Sequence, residues 1–254
     1  MSDPSSSGIR RVGVVGLGAV GSQLVDFLRA AGLDVVAVRR HDDLGQLAGV
    51  DLVVEAVAEQ HTVKAEVLAA VADVVGPDTL VATTTSGLSV SELAAGLDKP
   101  GRFAALVFHL PVAETLTVEV APGLQTDPAT VDRLRALVAA LPGKEALVVA
   151  DRPGFLLGAL LMPYLNDVIG AYDEDLATAD DLDVALQLGL GYRTGPLAML
   201  DRIGLDAHLL ATSAAHAATG DARYAPPPLL RRMVAAGRLG DKTHDGFRAG
   251  KDAQ

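Results

Sequence analysis

The sequence predicts an α/β fold class, with a doubly wound, mainly parallel sheet over residues 10–150 and an all-helical domain over residues 151–254. Three observations predict it. A glycine-spaced turn follows a β-branched run near the start, short apolar strands then alternate with helix-patterned segments, and every segment after residue 151 has helical periodicity. The Ser-rich residues 1–9 are predicted to be a disordered leader.

The turn after the first strand has the spacing G-x-G-x-x-G, given by Gly16, Gly18 and Gly21. The first glycine permits the turn, the second lets the backbone approach a pyrophosphate, and the third lets the next helix pack closely on the strand. The N–H groups around Ala19 and Val20, at the start of that helix, can bind phosphate. This pattern predicts a Rossmann-type dinucleotide site; the alternative is a glycine turn that serves packing alone.

Two arginines, Arg39 and Arg40, follow the second predicted strand, 34–38. In dinucleotide-binding folds an acidic residue at this point bonds the ribose 2'-hydroxyl of NAD, whereas an arginine accommodates the 2'-phosphate of NADP. The pair therefore favours NADP(H). The alternative is a solvated arginine pair with Asp42 or Asp43 on the ribose, and thus NAD(H).

The third and fourth strands, predicted over residues 51–57 and 80–84, end in residues that we assign to the ligand edge of the sheet. Ligands of such sheets bind outside the carboxyl ends of the strands. We assign Ala56, Val57 and Thr84 to the cofactor and Ser86 to the ligand, although Ser86 is also an ordinary turn residue.

Later segments complete the predicted architecture. Strands are expected over 103–109, 117–120 and 146–149, and Asp127 is expected to cap a helix over 128–141. Four helices follow, over 155–172, 178–188, 197–218 and 227–237. The first of them is apolar on nearly every side, which predicts a homodimer.

Composition excludes several classes of function. A net charge of -11 argues against nucleic acid, and the absence of cysteine rules out disulfides, thiolate metal sites and a cysteine nucleophile. The histidines show no metal spacing, so we expect no metal. Without a signal-peptide pattern or an apolar run long enough to span a bilayer, the protein is predicted to be cytoplasmic, with no membrane partner.

Several segments together resemble the 3-hydroxyacyl-CoA dehydrogenase family. They are, in order, Gly16 to Gly21, Glu55-Ala56 with Glu59 and Lys64, Thr85-Ser86 with Leu88, Val118 to Val120, Arg152 to Phe155, residues 189–206 and residues 240–247. The resemblance implies a Rossmann-type domain, a dimerising helical domain and a substrate cleft between them. It also implies that Glu59 and Lys64 contact cofactor or substrate; the alternative is an exposed charge pair at a helix start.

The departures from the family pattern concern proton transfer and CoA. The family's catalytic histidine is oriented by a glutamate; an ungapped match puts Glu119 at the glutamate and Val107 at the histidine. His109 lies two residues further on, and a two-residue gap places it in the catalytic position. The alternative is a core histidine, with Glu119 satisfying a buried neighbour. Residues 41–49 are also too few for the helical insertion that grips CoA in the family.

The resemblance, together with the arginine pair after the second strand, implies an oxidoreductase that transfers a hydride between NADP(H) and a 3-oxo or 3-hydroxyacyl substrate. That substrate is a small molecule or is carrier-bound, and is not held through CoA in the usual way. The assigned catalytic residues are Ser86, His109 and Glu119. One alternative is a C=N reductase on the same scaffold, and another is a cofactor-binding relative that has lost dehydrogenase activity.

Overall fold

The structure, a computed structural model, describes residues 8–248. Its contacts divide the chain between Leu156 and Leu157 into two units, each described by itself below. Residues 1–7 of the leader predicted over residues 1–9 lie outside the described residues. Ile9, at its end, is fully buried in the core of the first unit.

The first unit contains a seven-stranded sheet in the order β2-β1-β3-β4-β5-β6-β7. The first five strands are mutually parallel, β6 runs antiparallel to β5, and β7 is parallel to β6. The predicted doubly wound, mainly parallel sheet is therefore confirmed. The strands are β1 Arg11–Val15, β2 Asp34–Val38, β3 Leu52–Glu55, β4 Leu80–Thr83, β5 Phe103–Phe108, β6 Thr117–Pro122 and β7 Glu145–Val148.

Helices cover both faces of this sheet, which explains why its central strands are apolar almost throughout. One face carries α1 and α4, whose leucines pack on β1, β3 and β5. The other face carries α2 and α3, packed on alternate residues of the same strands. These helices are α1 Ala19–Ala30, α2 His61–Val74, α3 Val90–Ala94 and α4 Pro128–Ala140.

The chain reverses direction across the sheet between β1 and β3. From β1 it passes to β2 at the edge, and it then returns to β3 on the other side of β1. Such a switch point opens a crevice at the carboxyl ends of the strands, where ligands of open α/β sheets bind. The glycine turn after β1 lies at this place.

The second unit is helical. It contains α5 Leu157–Asp173, α6 Ala179–Leu190, α7 Pro196–Ile203, α8 Leu205–Thr219 and α9 Pro228–Ala235. The single helix predicted over 197–218 is wrong, because two helices meet at Gly204, whose φ of 95° is outside the helical range. None of the helices in residues 8–248 is long and apolar enough to cross a membrane.

The prediction that the Asp127 side chain caps α4 is also wrong. Asp127 stands at the N-cap, but its carboxylate makes no capping hydrogen bond. It lies over Gly101 instead, where a Cβ atom would come within 2.3 Å of Oδ2. Ser89, by contrast, caps α3 as its spacing to Glu92 suggests, accepting from the Glu92 N–H at 3.3 Å.

Candidate active site

The three glycines of the turn differ in whether packing within the protein requires glycine at their position. A Cβ atom on Gly16, which has a φ of 95°, would lie 2.7 Å from the Ala56 carbonyl oxygen, and one on Gly21 would lie 1.8 Å from the Gly16 carbonyl oxygen. Both positions therefore require glycine for packing. A Cβ atom on Gly18 would meet nothing within 4 Å. Packing gives no reason for a glycine there, whereas a pyrophosphate brought against the backbone does.

The start of α1 fits the same ligand. Gly18 is its N-cap and supplies no side-chain cap to the first-turn N–H groups around Ala19 and Val20. Unsatisfied N–H groups at a helix N-terminus bind anions. The residues that surround the Gly18 backbone therefore suit the diphosphate of a dinucleotide.

Backbone hydrogen bonds bring the ends of three strands to this turn. The Gly16 N–H donates to the Val38 carbonyl at 2.9 Å, and the Ala56 N–H donates to the Val15 carbonyl at 2.7 Å. Thr84 continues the edge, since its N–H donates to the Glu55 carbonyl at 2.9 Å. The predicted residues Ala56, Val57 and Thr84 thus lie at the carboxyl edge of the sheet.

In the turn after β2, the nearby carboxylates accept hydrogen bonds from backbone N–H groups of the same turn. Asp42 Oδ2 accepts the Arg39 N–H at 2.7 Å, and Asp43 Oδ1 accepts the Gly45 N–H at 2.8 Å. The side chains of Arg39 and Arg40 are exposed, and neither makes an ion pair within residues 8–248. The cations at this strand end are therefore available, while the carboxylates are engaged.

Behind the strand ends lies a buried ion pair. Lys64 Nζ is 2.9 Å from Glu55 Oε1, and both residues are fully buried. Glu55 also accepts from the Thr83 hydroxyl at 2.7 Å and from the Val57 N–H at 2.6 Å. The alternative of an exposed charge pair is therefore wrong for Lys64, which is buried, whereas the Glu59 side chain is 38 % exposed. A role of Lys64 toward the cofactor stays a prediction.

Glu59 links that ion pair to the loop that carries Ser86. Its Oε2 lies 3.4 Å from Lys64 Nζ, and its Oε1 accepts from the Thr85 hydroxyl at 2.5 Å and from the N–H groups of Ser86 and Gly87 at 3.1 and 3.0 Å. The Ser86 carbonyl in turn accepts from the Gly154 N–H at 2.8 Å. The Ser86 backbone is fixed on both sides, and the residue itself is exposed.

His109 and Glu119 come together beside the end of β5. His109 Nε2 lies 3.3 Å from Glu119 Oε2, which is an ion-pair distance without hydrogen-bond alignment. Contacts of this kind often tighten only when a substrate binds. The Glu119 side chain is 2 % exposed and its Oε1 accepts the Leu156 N–H at 3.0 Å, whereas the His109 side chain is 22 % exposed.

The strand register explains how His109 reaches this carboxylate. Val107 is the direct partner of Glu119 across the β5–β6 ladder, so a histidine at 107 would face the carboxylate squarely. His109 follows the last residue of β5 and is on the same side as Val107. It therefore approaches Glu119 from beyond the end of the strand.

Sequence reasoning assigned no role to four residues that support these groups. They are Glu55, Gln23, Thr115 and Lys144. Glu55 is the single charge in an apolar strand, which signals a buried partner, but the sequence does not name that partner. No group of three or more potential metal ligands occurs within the described part of the chain.

Three features define the class of protein. They are the glycine turn with free space in front of Gly18, the loop that carries Ser86 at the same sheet edge, and the pair formed by His109 and Glu119. This is a Rossmann-type, nicotinamide-dependent dehydrogenase. Family models give a closer assignment: residues 37–152 match the NAD binding domain of 3-hydroxyacyl-CoA dehydrogenase and residues 154–250 match its C-terminal domain. The chain belongs to the 3-hydroxyacyl-CoA dehydrogenase family.

Individual relatives resemble this chain over nearly its whole length. A 3-hydroxybutyryl-CoA dehydrogenase of Mycobacterium tuberculosis is 34 % identical, with 95 % of this chain and 99 % of the relative covered. One from Bradyrhizobium diazoefficiens is 38 % identical over 84 % of this chain and 71 % of its own length. The crystal structure of (S)-3-hydroxybutyryl-CoA dehydrogenase from Ralstonia eutropha has a TM-score of 0.90 and 31 % identity, covering 95 % of this chain and 99 % of that one.

Proposed function

We propose that this dehydrogenase uses NADP(H) to interconvert short 3-oxoacyl and 3-hydroxyacyl thioesters, with His109, Glu119 and Ser86 as its catalytic residues. The observation that carries the proposal is the 3.3 Å contact between His109 Nε2 and the buried carboxylate of Glu119. A nicotinamide bound here would supply a hydride to the carbonyl carbon of a 3-oxoacyl group, or accept one from the hydroxyl-bearing carbon of a 3-hydroxyacyl group. The protein must then give the former carbonyl oxygen a proton in reduction, or remove the proton of the 3-hydroxyl group in oxidation.

His109 carries that proton. In reduction, imidazolium donates a proton to the developing alkoxide; in oxidation, neutral imidazole accepts the proton of the 3-hydroxyl. Glu119 is held by the Leu156 N–H and stabilises the charged ring. The Ser86 hydroxyl donates a hydrogen bond to the same substrate oxygen, from a backbone that Glu59 and Gly154 keep in place.

The preference for NADP(H) rests on the turn after β2. A guanidinium offers a planar fork of donors that matches a phosphate, whereas a carboxylate repels it. Arg39 is exposed, while Asp42 and Asp43 are occupied by backbone N–H groups. This arrangement favours a 2'-phosphate over a free 2'-hydroxyl at the adenosine end.

The acyl group is short, and the CoA nucleotide contributes little to binding. The relatives cited above are named as dehydrogenases of 3-hydroxybutyryl-CoA, a four-carbon acyl group. Between β2 and β3, however, this chain has only a short 3-10 turn, Leu44–Leu47, and no helical insertion that could grip the adenosine diphosphate of CoA. Thioesters of a carrier protein or of pantetheine alone are therefore substrates as well.

The functional form is a homodimer assembled through the second unit. That unit exposes large apolar side chains on several helices, which a monomer would leave in water. They include Leu160 at 67 %, Leu188 at 83 %, Leu190 at 64 % and Leu210 at 65 % exposure. The cytoplasmic location predicted from the sequence stays a prediction.

The test is the His109→Gln variant, assayed with NADPH and acetoacetyl-CoA. Removing a general acid lowers kcat about 10² to 10⁴-fold. The KM for NADPH should change less than about twofold, because His109 is assigned to the substrate oxygen alone. His216→Gln, on α8 of the second unit, is the matched control and should retain full activity.

Two double variants ask whether Glu119 is the partner of the proton-transferring histidine. Val107→Phe combined with His109→Gln should stay inactive, whereas Val107→His combined with His109→Phe places a histidine directly across from Glu119 and should recover part of kcat. Full activity of His109→Gln would refute the assignment. Tight NADPH binding without turnover of any 3-oxoacyl thioester, or turnover of cyclic imines alone, would refute the function.

A further inference from the structure

The loop between β5 and β6 carries His109 at its start and is closed by its own hydrogen bonds. The Thr115 hydroxyl lies 2.8 Å from the His109 carbonyl and 3.2 Å from the Pro111 carbonyl, to either of which it can donate. The N–H groups of Glu114 and Thr115 both donate to the Pro111 carbonyl at 3.1 Å. The backbone of His109 is thus bound to the far end of the loop.

Lys144, just before β7, holds this loop from outside. Its ammonium donates to the carbonyls of Val112 and Thr115, and the residue is 9 % exposed. Burial lowers the pKa of Lys144, and no carboxylate within residues 8–248 pairs with it. Burying a cation is unfavourable unless hydrogen bonds compensate it, so the loop carbonyls and the cation hold each other in place.

Helix α1, which begins at the glycine turn, contacts the same loop twice. The side-chain oxygen of Gln23 accepts the Val112 N–H at 2.9 Å. One helical turn later, the ring of Phe27 lies beneath the Lys144 ammonium, with 4.5 Å between nitrogen and ring centroid. Gln23 and Phe27 are four residues apart and therefore share a face of α1.

We propose that Lys144 and Thr115 are positioning residues for His109, and that Gln23 and Phe27 connect them to the dinucleotide-binding helix. The path has two steps: the Lys144 ammonium fixes the Thr115 carbonyl, and the Thr115 hydroxyl fixes the His109 carbonyl. The imidazole is thereby kept beside Glu119 rather than free to turn into solvent. This inference rests on the proposed role of His109.

The opposite end of β5 supplies matched controls. Arg102 is also a partly buried cation whose pKa burial lowers, and it too donates to two carbonyls of one loop, those of Gly76 and Thr79. The Thr79 hydroxyl donates to the Val50 carbonyl at 2.7 Å, as Thr115 does to His109. Arg102 directly precedes β5 and His109 directly follows it, so only the Lys144 loop bears the proton-transfer group.

The experiment compares Lys144→Met with Arg102→Met, and Thr115→Val with Thr79→Val. Within each pair, the two variants should lower the unfolding temperature by a similar amount. Only Lys144→Met and Thr115→Val should lower kcat, by about tenfold, with the KM for NADPH unchanged, and Thr115→Ser should restore it. Without any ligand, the amides of Glu114 and Thr115 should exchange with solvent faster in Lys144→Met than in Arg102→Met.

A double-mutant cycle separates the two proposals. If Thr115 acts through His109, adding Thr115→Val to His109→Gln should leave kcat unchanged. An additive tenfold loss, or an equal loss of kcat in the control variants, would overturn the positioning role while leaving the proposed function intact. A His109→Gln variant with full kcat would overturn the proposed function itself.

Discussion

Replacing Arg39 tests the cofactor preference directly, because its backbone N–H holds the turn after β2 whereas its side chain is the proposed contact to the 2'-phosphate. The turn after β2 depends on the Arg39 N–H, which donates to Asp42 Oδ2 at 2.7 Å and is kept in any substitution but proline. The guanidinium is exposed and makes no ion pair within residues 8–248. Arg39→Ser therefore removes the proposed phosphate contact and leaves the turn in place.

The magnitude follows from the contact that is lost. Hydrogen bonds to charged groups contribute about 1.5 to 3 kcal/mol, and solvent exposure puts Arg39 at the lower end, about 1.5 kcal/mol. Arg39→Ser should thus weaken NADPH binding about tenfold. Arg39→Asp adds a repulsion of about 1 kcal/mol per pair of unit charges at 4 Å in water, for a total near 70-fold.

The assay is a fluorescence titration of NADPH and of NADH against wild type, Arg39→Ser, Arg39→Asp and Arg231→Ser. The last variant removes an equal charge from α9 in the second unit and should bind both nucleotides as wild type does. NADH binding should change less than about threefold in every variant. Equal weakening of both nucleotides by the Arg39 variants would refute the 2'-phosphate contact.

Two further predictions concern the substrate and the second unit. The chain between β2 and β3 contains only the short 3-10 turn Leu44–Leu47, so under the proposed function kcat/KM for acetoacetyl-pantetheine should lie within about tenfold of that for acetoacetyl-CoA; a loss above about a thousandfold would contradict this. Burial lowers the pKa of His208 to about 4 from an ordinary 6.5, so its neutral form stabilises the fold above pH 6.5 and that contribution, about 3 kcal/mol, is lost as pH falls toward 4. Denaturant unfolding should show this loss in wild type and a smaller one in His208→Gln; identical pH dependence in the two proteins would be the contrary result.

Local sequence rules were sufficient to predict the backbone of the glycine turn. The spacing of Gly16, Gly18 and Gly21 predicts a strand, a turn and a helix, and the structure shows each of them. Gly16 and Gly21 are needed because a Cβ atom would strike backbone within the same short motif or the strand beside it. Such steric demands are encoded over a few residues and can be recognised without a structure.

Local rules failed where a distant segment decides the backbone. The pattern over 197–218 is continuous, but the helix breaks at Gly204, where the Leu205 N–H donates to the Leu239 carbonyl at 3.2 Å. A Cβ atom at Gly204 would also approach the Lys242 ammonium at 3.1 Å. Helical periodicity indicates that a segment has one apolar face, but it gives no information about a contact with a residue more than thirty positions later in the chain.

The sequence by itself determined the glycine turn, the alternation of strands and helices and the family, because these depend on residue spacing along the chain. Only the tertiary structure decided that His109 reaches Glu119 although Val107 faces it, that Glu59 holds the Ser86 loop, and that Lys144 holds the His109 loop. The physical reason is that these groups are buried or fixed by partners 10 to 32 residues away. Burial selects such partners by proximity in the folded chain, which no local pattern specifies.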